Sequence, residues 1–400
     1  MQKPRTFVFF SRIEREKGVH ILIDTIISLW KIGFWDTHRI FICWRGNLEW
    51  ELLLSLAKYN IVDISWNKQV SEKIWQNGIY FLGWKNGEQM ESIFPLCDIH
   101  LMPSQFLETF GLSALQMCSR WIATVGFSDG GLSQFLVPDL ILEKNSNDEN
   151  NLVSLMQDLV LKEESYFENL RISVSHIAEK YNSGAFVDVF REQFPWCSRV
   201  LFFSDYLSLI WGLEKTTQIF SKTLKNYWIE NSIFGQELWN NTNTLSRLKH
   251  LIGSPINFRW AISIKKAILL NQPDLIWVQG MHRVWGFLWV RAIINSKIQT
   301  VAMHHDFGII SPFARDVESL RDIPTKWTLF EFYRVLKKRT LFWYIYLPYK
   351  FLLLSLYRYE IRKIGIHLVP SGFMIEPFAR LLGIEKSKIR VMPLFLDTAS

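Results

Sequence analysis

Along the first half of the chain, short apolar runs alternate with amphipathic stretches. The run TFVFF at 6–10 is apolar from its second residue on, as a strand buried on both faces requires. Over 18–32, Val19, Leu22, Ile23, Ile26, Ile27 and Trp30 recur at helical spacing. The same reading predicts strands at 39–43, 79–82, 99–102 and 122–125. Helices are predicted at 48–59 and 88–94 and from 112, followed by a turn and helix at 130–135. Two closing helices are expected at 152–161 and 166–181. Strands separated by helices imply a parallel sheet in an α/β layered domain.

A second series starts after Phe194-Pro195-Trp196. Strands are predicted at 199–203, 275–278, 300–303, 367–369 and 390–392, with an amphipathic helix at 213–227. The expected division is therefore a first domain at 1–195 and a second at 196–400. The polar tract at 145–151 (NSNDENN) reads as a surface loop, and no internal repeat is evident.

Composition narrows the class. The chain has 400 residues, of which 49% are hydrophobic and 21% charged, which excludes a disordered tail, a coiled coil and a disulfide-dense module. The aromatic share is high at 15%, and the formal net charge of +7 is unevenly held. Residues 1–195 carry 18 Lys and Arg against 24 Asp and Glu, whereas 196–400 carry 27 against 14. Such a difference suggests two domains with different partners. The four cysteines, Cys43, Cys97, Cys118 and Cys197, show no C-x-x-C spacing and fit a reducing compartment. No signal-peptide shape opens the chain, and the greasiest stretch, 341–357, is interrupted by Pro348 and Lys350. A cytoplasmic protein, peripheral at the inner face of a membrane, is expected.

Three segments carry candidate chemistry. Ser11-Arg12-Ile13-Glu14-Arg15-Glu16-Lys17-Gly18 follows the first strand, where α/β sheets bind ligands. Arg12 and Lys17 there could neutralise a diphosphate, although a charged, solvated helix start has the same appearance. Pro103-Ser104 and Glu108-Thr109-Phe110-Gly111-Leu112 join a carboxylate, a Gly turn and a helix start, which also describes an ordinary helix cap. Asp129-Gly130-Gly131-Leu132 permits close backbone approach, or is a simple turn.

Taken in order, R-x4-KG, PS-x3-E-x-FGL and GGL resemble the nucleotide-sugar-binding domain of glycosyltransferase family 4, the glycosyl transferases group 1 enzymes of GT-B fold. The resemblance implies a GT-B pair of Rossmann-like, doubly wound α/β domains. It implies that Arg12 and Lys17 hold the donor diphosphate and that Glu108 meets the donor sugar. Phe110, Gly111 and Leu112 would present backbone amides, with Gly131 beside them. The family's second Glu, which grips the ribose, is Gln116 here, an amide without the charge. Ser11 stands where the family has Gly.

The second half resembles the family's acceptor-side domain through Ser204-Asp205-Tyr206, Trp211-Gly212, Pro273-Asp274, Met303-His304-His305-Asp306 and Val369-Pro370-Ser371. Gly212 would line the substrate site. His305 and Asp306 would handle the acceptor, with His282 a weaker candidate. Because His304, His305 and Asp306 are sequential, they diverge and do not share an ion, so no metal site is expected. No cofactor is implied beyond the nucleotide-sugar donor.

In the usual family the acceptor domain comes first; here the donor-type domain does. A permuted enzyme and a fusion of two glycosyltransferase halves both fit that order. The resemblance implies retaining, metal-independent sugar transfer to a glycan or lipid-linked acceptor, in glycolipid or polysaccharide synthesis. The other reading is a degenerate, non-catalytic pair that binds nucleotide or serves in an assembly. Residues 315–363 carry 11 Lys and Arg against 5 Asp and Glu among twelve aromatics. That pattern suits an anionic membrane surface or a helical hairpin packed on the second domain. No nucleic-acid reader motif accompanies the charge.

Overall fold

The computed structural model describes residues 4–65, 76–144, 148–206, 212–236, 258–279, 288–311, 322–335 and 341–396. The chain divides into two compact units, Met1–Tyr181 and Asn182–Ser400. Each is an open parallel sheet flanked by helices, so the expectation of two doubly wound, Rossmann-like α/β domains holds.

The first unit runs β1 (Thr6–Phe10), α1 (Val19–Trp30), β2 (Arg39–Cys43), α2 (Glu49–Leu56), β3 (Val62–Asp63), β4 (Gly78–Gly83) and α3 (Gly87–Ile93). It continues through β5 (Ile99–Met102), α4 (Leu112–Cys118), β6 (Ala123–Phe127), β7 (Leu136–Leu142), α5 (Asp148–Val160) and α6 (Glu164–Glu179). The sheet order is β3-β4-β2-β1-β5-β6-β7, and every pairing is parallel. From β1 the chain winds to one side, then returns and winds to the other from β5. The order therefore reverses between β1 and β5. Strands β1, β5 and β6 are buried throughout, which is why they read as largely apolar runs, with Thr6, His100 and Thr124 as buried polar exceptions.

Two strands escaped the pattern. Strand β3 has two residues, and β7 is an edge strand in which Pro138 and Asp139 face water. Proline is tolerated at an edge because no ladder donor is needed on that side.

The second unit contains α7 (Ser183–Gln193), β8 (Arg199–Tyr206), α8 (Gly212–Asn226), β9 (Glu230–Gln236), β10 (Leu275–Gln279), β11 (Gln299–Met303), β12 (Ile366–Val369) and β13 (Ile389–Val391). Its sheet order is β13-β12-β11-β10-β8-β9, again all parallel, with the reversal between β8 and β10. Edge strand β9 (ENSIFGQ) is too polar to read as a strand, and the helix Phe258–Asn271 was likewise not expected. Part of the aromatic excess resolves here. Trp277, fully buried at the centre of β10, is ringed by Phe190, Phe194, Phe202 and Phe220 at centroid distances of 5.7–6.4 Å. Phe395 stacks on Phe220 and Phe186 at the edge of the same cluster.

Candidate functional site

In open α/β sheets, ligands bind beyond the carboxyl ends of the strands, where the strand order reverses. In the first unit that place lies between β1 and β5, and the loops that follow these two strands carry the predicted motifs. Ser11 to Gly18 leaves β1, and Pro103 to Gly111 leaves β5. The loops are fastened together by backbone bonds, Gln105 N and Phe106 N both donating to Glu16 O at 2.9 and 3.0 Å.

Gly18 makes this approach possible. Its φ is +76°, and a Cβ there would sit 1.8 Å from Pro103 O. Any side chain would separate the loops. The third motif joins from β6. Gly131 N donates to Glu108 O at 2.6 Å, and a Cβ on Gly131 would lie 2.5 Å from Thr109 O and 2.6 Å from Phe110 Cα. Three segments far apart in sequence thus converge, each through a glycine or a backbone bond.

At their junction Lys17 Nζ donates to Glu108 Oε1 at 2.5 Å, with side-chain exposures of 12% and 10%. Ser104 Oγ lies 3.0 Å from the same carboxylate oxygen and 3.2 Å from Glu16 O. Sequence reasoning quoted Ser104 without giving it a role. Its spacing of four before Glu108 is the signal that could have done so.

Arg12 does not join this pair. Its guanidinium is held by Glu14 and, at 3.6 Å, by Glu16. Burial, reinforced by the neighbouring Glu14, pushes the Glu16 carboxyl above the usual carboxylate range. These two acidic partners were not anticipated. Phe110 is buried, its ring packed 5.0 Å from Phe135 and 5.6 Å from Tyr181, so only its backbone is available to a ligand. Gly111, at φ +100°, turns the chain into α4, whose first residue, Leu112, is exposed. The first amides of such a helix have no partner within it. Gln116 follows on α4 and is half-buried.

In the second unit, the end of β11 carries His304, His305 and Asp306, and the side chains diverge as their adjacency requires. His304 turns into the sheet, its Nε2 3.0 Å from His367 Nδ1 on β12. Asp306 Oδ1 accepts from Gly308 N at 2.8 Å, a local turn. The Nε2 of His305 is buried without a hydrogen-bond partner, and burial pulls the imidazole down to about 4, with Asp306 opposing the shift.

Ser204 on β8 and Gln279 on β10 are register partners beside the reversal point. Gln279 Oε1 accepts from Thr217 Oγ1 at 2.5 Å, whereas Gln279 Nε2 and Ser204 Oγ are buried and unpartnered. Buried polar atoms are rarely left unsatisfied without a reason. Gly212 opens α8. Trp211, His282 and the Gly280 that follows β10 lie outside the described residues. Pro273-Asp274 proves structural. Asp274 Oδ2 accepts from Ser198 N, Ser198 Oγ and Arg199 N at 2.7–2.9 Å, and these bonds, led by the Ser198 hydroxyl, lower its pKa.

The first unit is thus a doubly wound α/β domain with a charged, glycine-packed crevice at its reversal point. Residues 1–171 match the family model described as glycosyl transferases group 1. Among curated proteins no sequence matches the chain significantly. Similar solved structures include the catalytic domain of cholesterol-α-glucosyltransferase from Helicobacter pylori, 16% identical, with a TM-score of 0.34 over 44% of this chain and 96% of that one. The C-terminal domain of the glycosyl transferase group 1 family protein LpcC from Francisella tularensis is also 16% identical, with a TM-score of 0.34 over 45% and 87% of the two chains. HepE from Anabaena, in complex with UDP and glucose, is 14% identical, with a TM-score of 0.38; the match covers 48% of this chain and 49% of HepE, about half its length.

Proposed function

We propose that the protein is a GT-B glycosyltransferase of family 4. It moves a sugar from a nucleotide-diphosphate sugar to an acceptor hydroxyl, with retention of configuration and without a metal or cofactor, in glycan, glycolipid or polysaccharide synthesis. The observation that carries this reading is the convergence of Lys17, Ser104, Glu108 and Gly131 at the reversal point of the first sheet.

In the reaction, the bond between the anomeric carbon and the diphosphate oxygen breaks and a bond to the acceptor oxygen forms. The acceptor's proton leaves on the diphosphate. Lys17 and Arg12 would neutralise the charge that develops on that leaving group, the kind of electrostatic stabilisation that is strongest in a partly dehydrated crevice. Their present carboxylate partners make this an exchange. A bound diphosphate would take Lys17 from Glu108 and leave the Glu108 carboxylate to accept from a sugar hydroxyl. The backbone amides at 110–112 would face the donor, and Gln116 its ribose. His305, held neutral at pH 7, offers a nitrogen to the acceptor hydroxyl. A lipid-carried acceptor at a membrane surface fits the basic, aromatic stretch 315–363.

The test is release of nucleoside diphosphate by the purified chain from a panel of nucleotide sugars, with Lys17→Ala and Glu108→Ala as controls. Each substitution is expected to lower turnover by about a hundredfold or more. Turnover unchanged by both would overturn the assignment. Failure of every nucleotide to bind in calorimetry would favour the degenerate, non-catalytic reading.

A further inference from the structure

Strands β9 to β13 of the second unit step across the sheet in one direction. Right-handed crossovers therefore place the helices between them on a single face. Three of these helices, Phe258–Asn271, Leu288–Ile294 and Leu341–Ile361, pack side by side in that order, Trp289 of the middle one lying 5.8 Å from Tyr357 of the last.

A helix layer on a sheet ordinarily turns apolar side chains inward and polar ones to water. Here the outward faces are apolar as well. On Leu341–Ile361, Leu347, Leu354, Tyr357 and Ile361 face inward. Opposite them, Ile345 (72% exposed), Pro348, Leu352 (56%), Leu356 and Tyr359 form an outward stripe spanning about 21 Å at 1.5 Å per residue. On Phe258–Asn271, Ile262 (68%), Leu269 (75%) and Leu270 are exposed, interleaved with exposed Lys265 and Lys266. Arg291 is exposed on the helix between them.

The charge on this surface has one sign. The first two helices contain no acidic residue, and Glu360, the single carboxylate of the third, is buried and paired with Lys363 at 2.7 Å. Among the described residues no helix is long and apolar enough to cross a membrane. An apolar face with cations and no exposed carboxylate matches the boundary of an anionic bilayer, into which such helices sink their apolar side chains while Lys and Arg stay at the headgroups.

We propose that this three-helix face docks the protein peripherally on an anionic lipid surface. The site is made of the outward sides of Phe258–Asn271, Leu288–Ile294 and Leu341–Ile361, and it rests on these exposed side chains and not on the sugar-transfer chemistry. The test is flotation of the full chain with phosphatidylcholine vesicles, with and without phosphatidylglycerol. The chain is expected to float with the anionic vesicles at low salt and to remain behind with phosphatidylcholine alone. Ile345→Glu/Leu352→Glu changes two side chains that are more than half exposed, and should abolish flotation without shifting the melting temperature. Lys265→Glu/Lys266→Glu is the second variant, expected to weaken binding roughly thirtyfold. Three results would overturn the proposal. They are wild-type chain left behind with anionic vesicles at low salt, both variants floating as the wild type does, or a self-association in sedimentation velocity that Ile345→Glu/Leu352→Glu abolishes while no flotation occurs. The last would assign the face to a second copy of the chain.

Discussion

Removing the charge from both Lys17 and Glu108 should cost less than the two single removals added together. At 2.5 Å the two charges attract by roughly 6–7 kcal/mol at an effective dielectric constant of about 20. Both side chains are nearly out of water, so lost hydration cancels most of that gain. What remains large is the penalty of stranding one partner. Lys17→Met leaves the Glu108 carboxylate with Ser104 Oγ as its remaining hydrogen-bonding side chain in this crevice, and Glu108→Gln leaves a dehydrated ammonium. Each single substitution should destabilise the first unit by about 3 kcal/mol. The double substitution should cost about 2 kcal/mol less than the sum of the two. Hydrogen exchange read by mass spectrometry on peptides from β1 and β5 reports the opening free energy of this unit separately from the other. A coupling below about 0.5 kcal/mol would show that the two groups do not act as a pair, and the exchange proposed for diphosphate binding would lose its basis.

Other outcomes follow from the same structure. His100, buried in β5 with Thr124 Oγ1 3.1 Å from its Nδ1, is pulled down to about 3 from 6.5 by burial. The unfolded chain therefore takes up this proton first as pH falls. The stability that the neutral imidazole contributes is complete above about 6.5 and drains toward pH 3, by up to about 1.4 kcal/mol per pH unit. Urea midpoints between pH 7 and 5 should flatten by that slope in His100→Asn; an unchanged slope would refute the assignment. Gly131→Ala, whose Cβ would press on the backbone of Thr109 and Phe110, should cost about 2 kcal/mol or more and weaken nucleotide binding with it, as seen by melting and calorimetry. An equally stable variant would contradict the close approach. Gln116→Glu restores the charge that the family resemblance expects and should tighten nucleotide binding about fivefold, since a charged acceptor is worth about 1 kcal/mol more than a neutral one. No change would remove Gln116 from the site.

How much of this was visible in the sequence depended on burial. Strands sealed on both faces, such as β1, β5 and β10, announce themselves because nearly every position is apolar, His100 and Gln279 being the buried exceptions in β5 and β10. The edge strands hide: β7 exposes Pro138, Asp139 and Ile141 to water, and β9 (ENSIFGQ) is too polar to stand out as a buried run. The motifs around Lys17, Glu108 and Gly131 were legible as motifs, since glycine and charge at a strand end are distinctive. Their partners were less so. That Arg12 would turn to Glu14 and Glu16 rather than to Glu108 depends on the path of a short 3-10 turn, Arg15–Lys17, and local spacing does not encode that path. The outward apolar stripe of Leu341–Ile361 was read from composition as a basic, aromatic stretch. Only the helix phase separates its buried residues from its exposed ones.

The two units also share a device that separates construction from chemistry. In the first, Asp98 immediately precedes β5. Its carboxylate accepts from Thr6 N at 2.9 Å, and its own amide donates to Thr6 O at 2.8 Å. In the second, Asp274 immediately precedes β10 and repeats both bonds with Arg199, the first residue of β8, at 2.9 Å each. In each case an aspartate fastens the amino end of the first strand to its neighbour across the reversal point, where adjacent strands are not consecutive in sequence and no short turn holds them. The amino ends are thus clamped alike, whereas the carboxyl ends of the same strands differ. One carries Lys17 and Glu108, the other Ser204 and Gln279 with buried atoms left unpaired. Fixing one end of the reversal point leaves the opposite end free to diverge, so Asp274, although embedded in a motif that resembled a functional one, belongs to the scaffold.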